Sequence, residues 1–364
     1  MTVRSSGHDL AHGAGLVLDT ATCMPEQLPQ VGGKAVGLGA LHRAGERVPA
    51  SFVVATSAYH DYWRFRRDAP PGQADDLPAG MGEHLRRSIE RSYEDLSRRT
   101  AKDVPVAVRS SATIEDSAEA SAAGQFLTYL GARGAAEVIE KVEACWVAAA
   151  APHVQSYHSK VGADPAAHGV AVIVQELVDA RSAGVMFTQH PRTGDRSVVV
   201  IESSYGLGEA VVGGEVTPDL FEVNKITRKV GHRRLGTKAA EHRLSAALGT
   251  ERRPVEPDRQ ERWSISDEEV EALVAVAIQL EASLGRGLDV EWAIGTVRSD
   301  DRVEQLFTLQ ARPITVSLGP ARGLRPASPE PESVTPAASP AARNRGIDLA
   351  LGRLSSRISH GGAP

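Results

Sequence analysis

The chain has little cysteine, few aromatic residues, no basic excess and no long apolar run, and each shortage removes a class of protein. Only two of its 364 residues are cysteine, Cys23 and Cys145. They lie far apart and outside any metal-ligand spacing, which excludes a disulfide framework or a zinc module and predicts a reduced, cytoplasmic setting. Aromatic residues make up 4%, and Trp146 and Trp292 are read as core rather than as stacking platforms. The formal net charge is -5, which offers no basic surface for nucleic acid. No apolar run approaches the roughly 20 residues of a membrane span, and the opening MTVRSSGHDLAHGAG lacks the apolar centre of a signal peptide. The twelve histidines show no HxH, HExxH or Cys/His spacing. What remains, 41% hydrophobic and 24% charged residues, is ordinary for a soluble globular chain able to bury a sizeable core.

Periodicity divides the chain. Residues 1–15 are polar and expected to form a flexible N-terminus. Order begins near LVLDT (16–20), and a glycine-rich turn and a helix follow, through Leu41. SFVVAT (51–56) predicts a short strand ahead of an aromatic-bearing helix, and a Pro/Gly/Asp break spans 69–80. Over 81–100, Leu85, Ile89, Tyr93 and Leu96 recur at a helical period. A buried strand at 104–108 and a helix over roughly 134–160 come next, then strands at 170–178, 182–188 and 196–203. The helix over 266–284 opens on a capping box, Ser266 with Glu269, and a hydrophobic staple, Ile265 with Val270. Residues 16–318 are thus expected to be the ordered domain. Beyond it, 319–345 read as a Pro/Ala/Ser-rich linker too poor in apolar residues to order itself, and 346–364 as a short tail.

The chemistry concentrates in GLDVEWAIGTVRSDDRVEQLFTLQARP (287–313). Leu288, Val290 and Trp292 alternate with Asp289, Glu291 and Ala293, a polar turn follows, and a second strand covers Leu306 to Ala311. Asp289, Glu291 and Gln310 offer oxygen ligands of the kind Mg²⁺ takes alongside phosphate, and Arg312 adds a cation suited to polyphosphate. The stretch alone fits equally an ordinary hairpin with a solvated polar face. Elsewhere, Gly32-Gly33-Lys34 brings a mobile charge to a place where backbone can approach a ligand, or is a solvated turn. Arg109 ends an apolar strand, which puts it either at a site or in a pair with Glu115 or Asp116. EASAAGQ (119–125) is either a phosphate-cradling loop or a surface loop. Gln175-Glu176-Leu177-Val178 ends a strand and could hold a base between apolar side chains. His190 is expected at the surface.

VGGKAVGLGAL (31–41), VAVRSSATIEDSAEASAAGQFLTYL (106–130), SAGVMFTQHPRTGD (182–195), YGLGEAVVGGEVTPDLFEVNK (205–225) and the closing QARP resemble, in this order, the nucleotide-binding half of the phosphoenolpyruvate synthases, pyruvate phosphate dikinases and rifampin phosphotransferases. The resemblance covers roughly residues 17–318. It implies an α+β, ATP-grasp-type domain of two subdomains, followed by a disordered Pro/Ala-rich C-terminal segment. It implies ATP and Mg²⁺ as cofactors, Lys34, Arg109 and Arg312 on the phosphates, and Gly124 and Thr128 in a phosphate lid. It implies an adenine hinge at Gln175, Glu176, Leu177 and Val178, and metal ligands Glu291 and Gln310 with Asp289 as a weaker candidate.

The same resemblance implies transfer of the ATP β-phosphoryl to a histidine, yielding AMP and phosphate. The family's histidine segment, of the type GG-x-x-S/C-H-A, does not occur in this sequence, and His360 has its glycines on the wrong side. GRLSSRISHGGAP (352–364) faintly resembles the opening strand of the swivelling domain that carries that histidine. The expectation is therefore an ATP-activating phosphotransferase domain whose histidine comes from a separate swivelling-domain protein. The alternatives are a stand-alone small-molecule kinase and a non-catalytic ATP-binding regulator. Limited trypsin digestion is expected to cut first at Arg322, Arg325, Arg343 or Arg345 and to leave a core ending near Val316. Protection of all four sites would show a packed linker instead.

Overall fold

Helix α1 (Leu28–Arg43) sits against two antiparallel sheets at once. The computed structural model describes residues 15–68, 81–100, 103–112, 128–150, 169–245, 249–297 and 303–314. Residues 1–14 of the expected flexible N-terminus, Gly124 with its small-residue loop, and the linker and tail over 319–364 lie outside the described residues. The first sheet contains β1 (Val17–Asp19), β2 (Ser51–Val54), β3 (Val106–Ala112), β4 (Thr128–Ala132) and β5 (Val170–Glu176), in the order β1-β2-β5-β3-β4. Alternation along its strands gives it two apolar faces. Val54, Val106, Val108, Val172 and Val174 pack under α2 (Thr56–Asp68), α3 (Glu83–Thr100) and α4 (Gly134–Ala149). Val53, Ala171 and Ile173 turn the other way, onto α1. The helical period of α3 is met: Leu85, Ile89, Tyr93 and Leu96 are all buried.

The second sheet contains β6 (Asp179–Phe187), β7 (Val198–Tyr205), β8 (Asp219–Asn224), β9 (Val230–Arg234), β12 (Leu288–Thr296) and β13 (Gln305–Pro313), in the order β13-β12-β6-β7-β8-β9. A single-turn helix, α5 (Glu209–Val212), follows β7, and a separate hairpin, β10 (Ala240–Ser245) with β11 (Gly249–Pro254), and a second single-turn helix, α6 (Pro257–Gln260), lie between β9 and β12 in sequence. Helix α7 (Asp267–Leu284) packs Val270, Leu273, Val274, Ala277 and Leu280 into the core that α1 shares with both sheets. Its expected capping box is present: Glu269 N donates to Ser266 Oγ at 3.2 Å and Ser266 N to Glu269 Oε2 at 2.8 Å.

Some boundaries differ from expectation. Helix α4 stops at Ala149, with Ala150 as its cap, rather than running to 160. Strand β6 starts at Asp179, directly after the β5 exit, because Leu177 and Val178 suffice to step from one sheet to the other. His190 is not a surface residue. Its side chain is 13% exposed and stands 4.0 Å from Glu222, and its Nδ1 accepts the backbone N–H groups of Arg192 and Thr193 at 3.1 and 3.3 Å. Both tryptophans are core, as expected.

One fully buried ion pair ties β8 to the chain before α7. Lys238 donates to Asp219 Oδ1 at 2.6 Å and to the carbonyls of Gly236 and Gln260 at 2.8 and 3.2 Å. Asp219 also accepts Gly236 N at 2.8 Å, Ser264 N at 2.8 Å and Ser264 Oγ at 2.7 Å. A buried charge with one partner removed is costly, so Asp219→Ala is expected to lower stability by about 3–5 kcal/mol. Urea unfolding measures this, and a loss under about 1 kcal/mol would show that Lys238 finds other acceptors.

Candidate nucleotide site

Strand alternation splits the β12–β13 hairpin into two functions. Leu288, Val290 and Trp292 enter the core, which turns Asp289 and Glu291 to the opposite face. On that face Glu291 is the direct register partner of Gln310, and Asp289 that of Arg312. A bulge follows, with Trp292 opposite Thr308 and Leu309 as the extra residue. The Leu309 carbonyl accepts Gln175 Nε2 at 3.4 Å, so the end of β5 is tied to the hairpin across the two sheets.

The first sheet supplies the cations. Arg109 on β3 donates through Nη2 to Glu291 Oε2 at 2.6 Å, and the two side chains are 18% and 17% exposed. Its partner among the described residues is thus Glu291 of the other sheet; Glu115 and Asp116, the alternative partners, lie outside the described residues. Arg109 Nε is buried and has no hydrogen-bond partner among the described residues. Thr128, the first residue of β4, is the register partner of Arg109. Lys34 donates to the Ser110 carbonyl at 2.9 Å. It reaches this position because α1 breaks at Gly32, with φ 74° and ψ 167°. A Cβ there would stand 2.2 Å from the Ser111 carbonyl oxygen, so only glycine lets the helix start so close to β3. Arg312 is bonded to Asp289 at 2.9 Å through both Nε and Nη2, and half of its side chain is exposed.

Charge and polarity are graded along the strands. Ala293, Phe307, Leu309, Leu177, Val178 and Leu130 form a small apolar cluster at one end. At the next level Glu291 and Gln310 stand side by side, and Gln310 is buried with no side-chain hydrogen bond among the described residues. Asp289 and Arg312 lie beyond. Burial pushes the Glu291 carboxyl up, but Arg109, Arg312 and Lys34 outweigh it and hold the group below the usual carboxylate range. Asp289 goes the other way: burial raises it, with Arg312 opposing and Glu291 adding to the rise. Among the described residues no three His, Cys, Asp or Glu side chains gather as a metal cage. One ionised carboxylate with one amide oxygen is nevertheless a donor set that suits Mg²⁺ shared with phosphate.

Eleven of the twelve residues expected at the site, all but Gly124, are among those described. Lys34, Arg109, Thr128, Asp289, Glu291, Gln310 and Arg312 supply the polar part, and Leu177 and Val178 the apolar end. Gln175 and Glu176 are 2% and 3% exposed at the β5 exit, where Glu176 N donates to Ala50 O and Leu177 N to Pro105 O. Sequence reasoning missed Glu202 on β7, whose carboxyl is raised by burial, lowered by Arg234 and raised by Asp289. The signal was available, since Glu202 is a charge within the apolar run VVVIES, the argument applied to Arg109.

A family model described as the pyruvate phosphate dikinase AMP/ATP-binding domain matches residues 77–324. The chain belongs to this family. Among its relatives are a phosphoenolpyruvate synthase of Aeropyrum pernix, 34% identical over 84% of this chain and 43% of the relative, and the prodigiosin synthesizing transferase PigC of Serratia marcescens, 36% identical over 81% and 32%. A rifampicin phosphotransferase of Streptomyces sviceus is 34% identical over 82% and 36%. The chain therefore spans less than half the length of these relatives. A solved structure, D-cycloserine synthetase DcsG, covers 82% of this chain and 67% of its own at 12% identity and a TM-score of 0.31, too distant a likeness to argue from. Among the described residues no helix is long and apolar enough to cross a membrane.

The Arg109–Glu291 pair makes two predictions for the nucleotide-free dikinase-family domain. Arg109→Met and Glu291→Gln should be coupled by about 0.5–3 kcal/mol in a double-mutant cycle read by urea unfolding. A folded-state pKa below the unfolded value gives stability that is present above the unfolded value and lost as pH falls through the folded one. The wild type should therefore lose more stability than Glu291→Gln between about pH 5 and pH 3. Parallel acid limbs would remove Glu291 as the group responsible.

Proposed function

We propose that this domain is an ATP-dependent phosphotransferase module that clamps Mg-ATP, in ATP-grasp fashion, between the hairpin and the first sheet. The observation that carries the reading is Arg109, which holds a buried, unused Nε donor while its Nη2 neutralises the carboxylate beside Gln310. A guanidinium with a donor to spare suits a second anion, and a phosphate oxygen supplies one. The apolar cluster at Leu177, Val178, Ala293 and Leu309 takes the adenine, with backbone groups of 175–178 reading its edge. Lys34, Arg109 and Arg312 bind the phosphates, and Thr128 and Gly124 belong to the lid. Glu291 and Gln310 would hold Mg²⁺, with Asp289 beside them. That ion, when bound, neutralises phosphate charge, as in phosphoryl transfer generally.

The acceptor is a histidine on a separate swivelling-domain protein, and the β-phosphoryl moves to it with AMP and phosphate as the other products. Support comes from the family to which the chain belongs. Calorimetry with Mg-ATP is expected to give binding that Lys34→Ala and Gln310→Ala each weaken by about 1.4 kcal/mol or more, a factor of ten. ATP labelled in the β position tests the transfer. Label on the added partner supports the split enzyme, label on a small molecule without a partner supports a stand-alone kinase, and binding without transfer leaves a regulator.

A further inference from the structure

We propose that Glu202 positions the phosphoryl acceptor, accepting a hydrogen bond from the N–H of the acceptor imidazole opposite its attacking nitrogen. The assignment rests on the phosphotransferase reading above and names a residue that reading does not use.

Register places Glu202 on the site's face. Direct partners on adjacent strands share a face of the sheet. The series Gln310, Glu291, Val185, Glu202, Leu220 and Arg234 runs partner to partner across all six strands. Asp289, two residues from Glu291, lies on the same face. Glu202 is two strands from Glu291, roughly 10 Å between backbones, and only Val185 stands between them in the row. Its position is fixed from behind, because a Cβ on Gly184 would come within 1.9 Å of the Glu202 carbonyl oxygen. Only a glycine there lets β6 and β7 meet as they do.

The Glu202 side chain has no structural employment. It is half-buried, yet it accepts no hydrogen bond from any described residue. The charges that act on it are Arg234 at the β9 edge and Asp289 in the site, and neither is bonded to it. A partly buried carboxylate without hydrogen bonds is unfavourable, which is tolerated where a ligand completes it. The polarity gradient says which ligand. Adenine belongs at the apolar Ala293 end, the metal level is Glu291 and Gln310, and the terminal phosphates extend toward Asp289 and Arg312. Glu202 stands in the row of Glu291 and Gln310, two strands to the side and within electrostatic reach of Asp289, so it flanks the start of that phosphate path.

In the step itself, the lone pair of the attacking imidazole nitrogen forms the N–P bond. The bond from that phosphorus to its leaving oxygen breaks, and its electron pair leaves with the nucleotide. The proton on the other ring nitrogen stays hydrogen-bonded to Glu202, which holds the ring in the tautomer whose lone pair faces phosphorus. AMP leaves at this step and the imidazole carries the β- and γ-phosphoryl groups; one water then takes the γ-phosphoryl as phosphate and leaves the β-phosphoryl on the ring.

Free imidazole and 1-methylimidazole separate this role from a structural one, since the methylated ring keeps an attacking nitrogen but has no N–H. The reading is AMP release from Mg-ATP by the purified domain. Wild type is expected to respond to imidazole and far less to 1-methylimidazole. Glu202→Ala should lose that preference and about a hundredfold of the imidazole-stimulated rate, while its Mg-ATP affinity stays within about twofold. Glu202→Gln, whose amide oxygen still accepts, should keep the preference. An unchanged preference in Glu202→Ala, or a parallel loss of Mg-ATP affinity, overturns the assignment. Wild type that binds Mg-ATP but ignores imidazole overturns the phosphotransfer reading beneath it.

Discussion

The contact between Arg109 and Glu291 joins the two sheets by opposite charge, beside the shared core around α1 and the Gln175–Leu309 hydrogen bond. Each partner is unsuited to stand alone: a guanidinium in the middle of β3 and a carboxylate in the middle of β12 both need a counter-charge. Their attraction sets the distance between β3 and β12, and that distance sets the space available to a ligand. The guanidinium and the carboxylate also neutralise each other across the two sheets. The nucleotide-free domain thereby avoids uncompensated like charges without a permanent occupant.

Around this contact the fold supplies rigidity where aim matters. Gly32 lets α1 begin against β3, which carries Lys34 to the Ser110 carbonyl. The bulge at Leu309 turns a carbonyl toward Gln175 and links the end of β5 to the hairpin. The Asp219–Lys238 pair, fully bonded, anchors the run into α7, and α7 in turn adds Val270, Leu273 and Leu280 to the core that holds Leu288, Val290 and Trp292 of the hairpin. Side chains that touch the ligand are few, and most of the chain serves to hold two strands in register.

Much of this was legible beforehand because the periodic signals are local. The capping box at Ser266, the helical period of Leu85 to Leu96, and the alternation in Leu288 to Ala293 each follow from spacing alone. The candidate site residues were named from ordered motifs in the sequence, and the structure brings Arg109 to Glu291 and Arg312 to Asp289. The strands from β8 to β11 were not, because β9 is exposed along its whole length and carries His232, Arg233 and Arg234, a composition that reads as loop. Strand β8 alternates cleanly in the structure, with Phe221 and Val223 buried, but Asp219 at its start hides a buried charge that only Lys238 explains. The Glu291 partner of Arg109 was not legible for a related reason. It lies 182 residues away in sequence and is brought close by the meeting of two sheets.

Neither cysteine is in a disulfide, and both are buried. Burial is the main cause that pushes the Cys23 thiol up to about 11 and the Cys145 thiol up to about 12. The thiolate is the reactive form, so neither sulfur competes for an alkylating reagent at neutral pH. The native chain is therefore already a silent background for site-specific labelling. A single cysteine introduced on an exposed strand such as β9 would carry a fluorophore or spin probe alone, with no need to remove Cys145 from beneath Lys34.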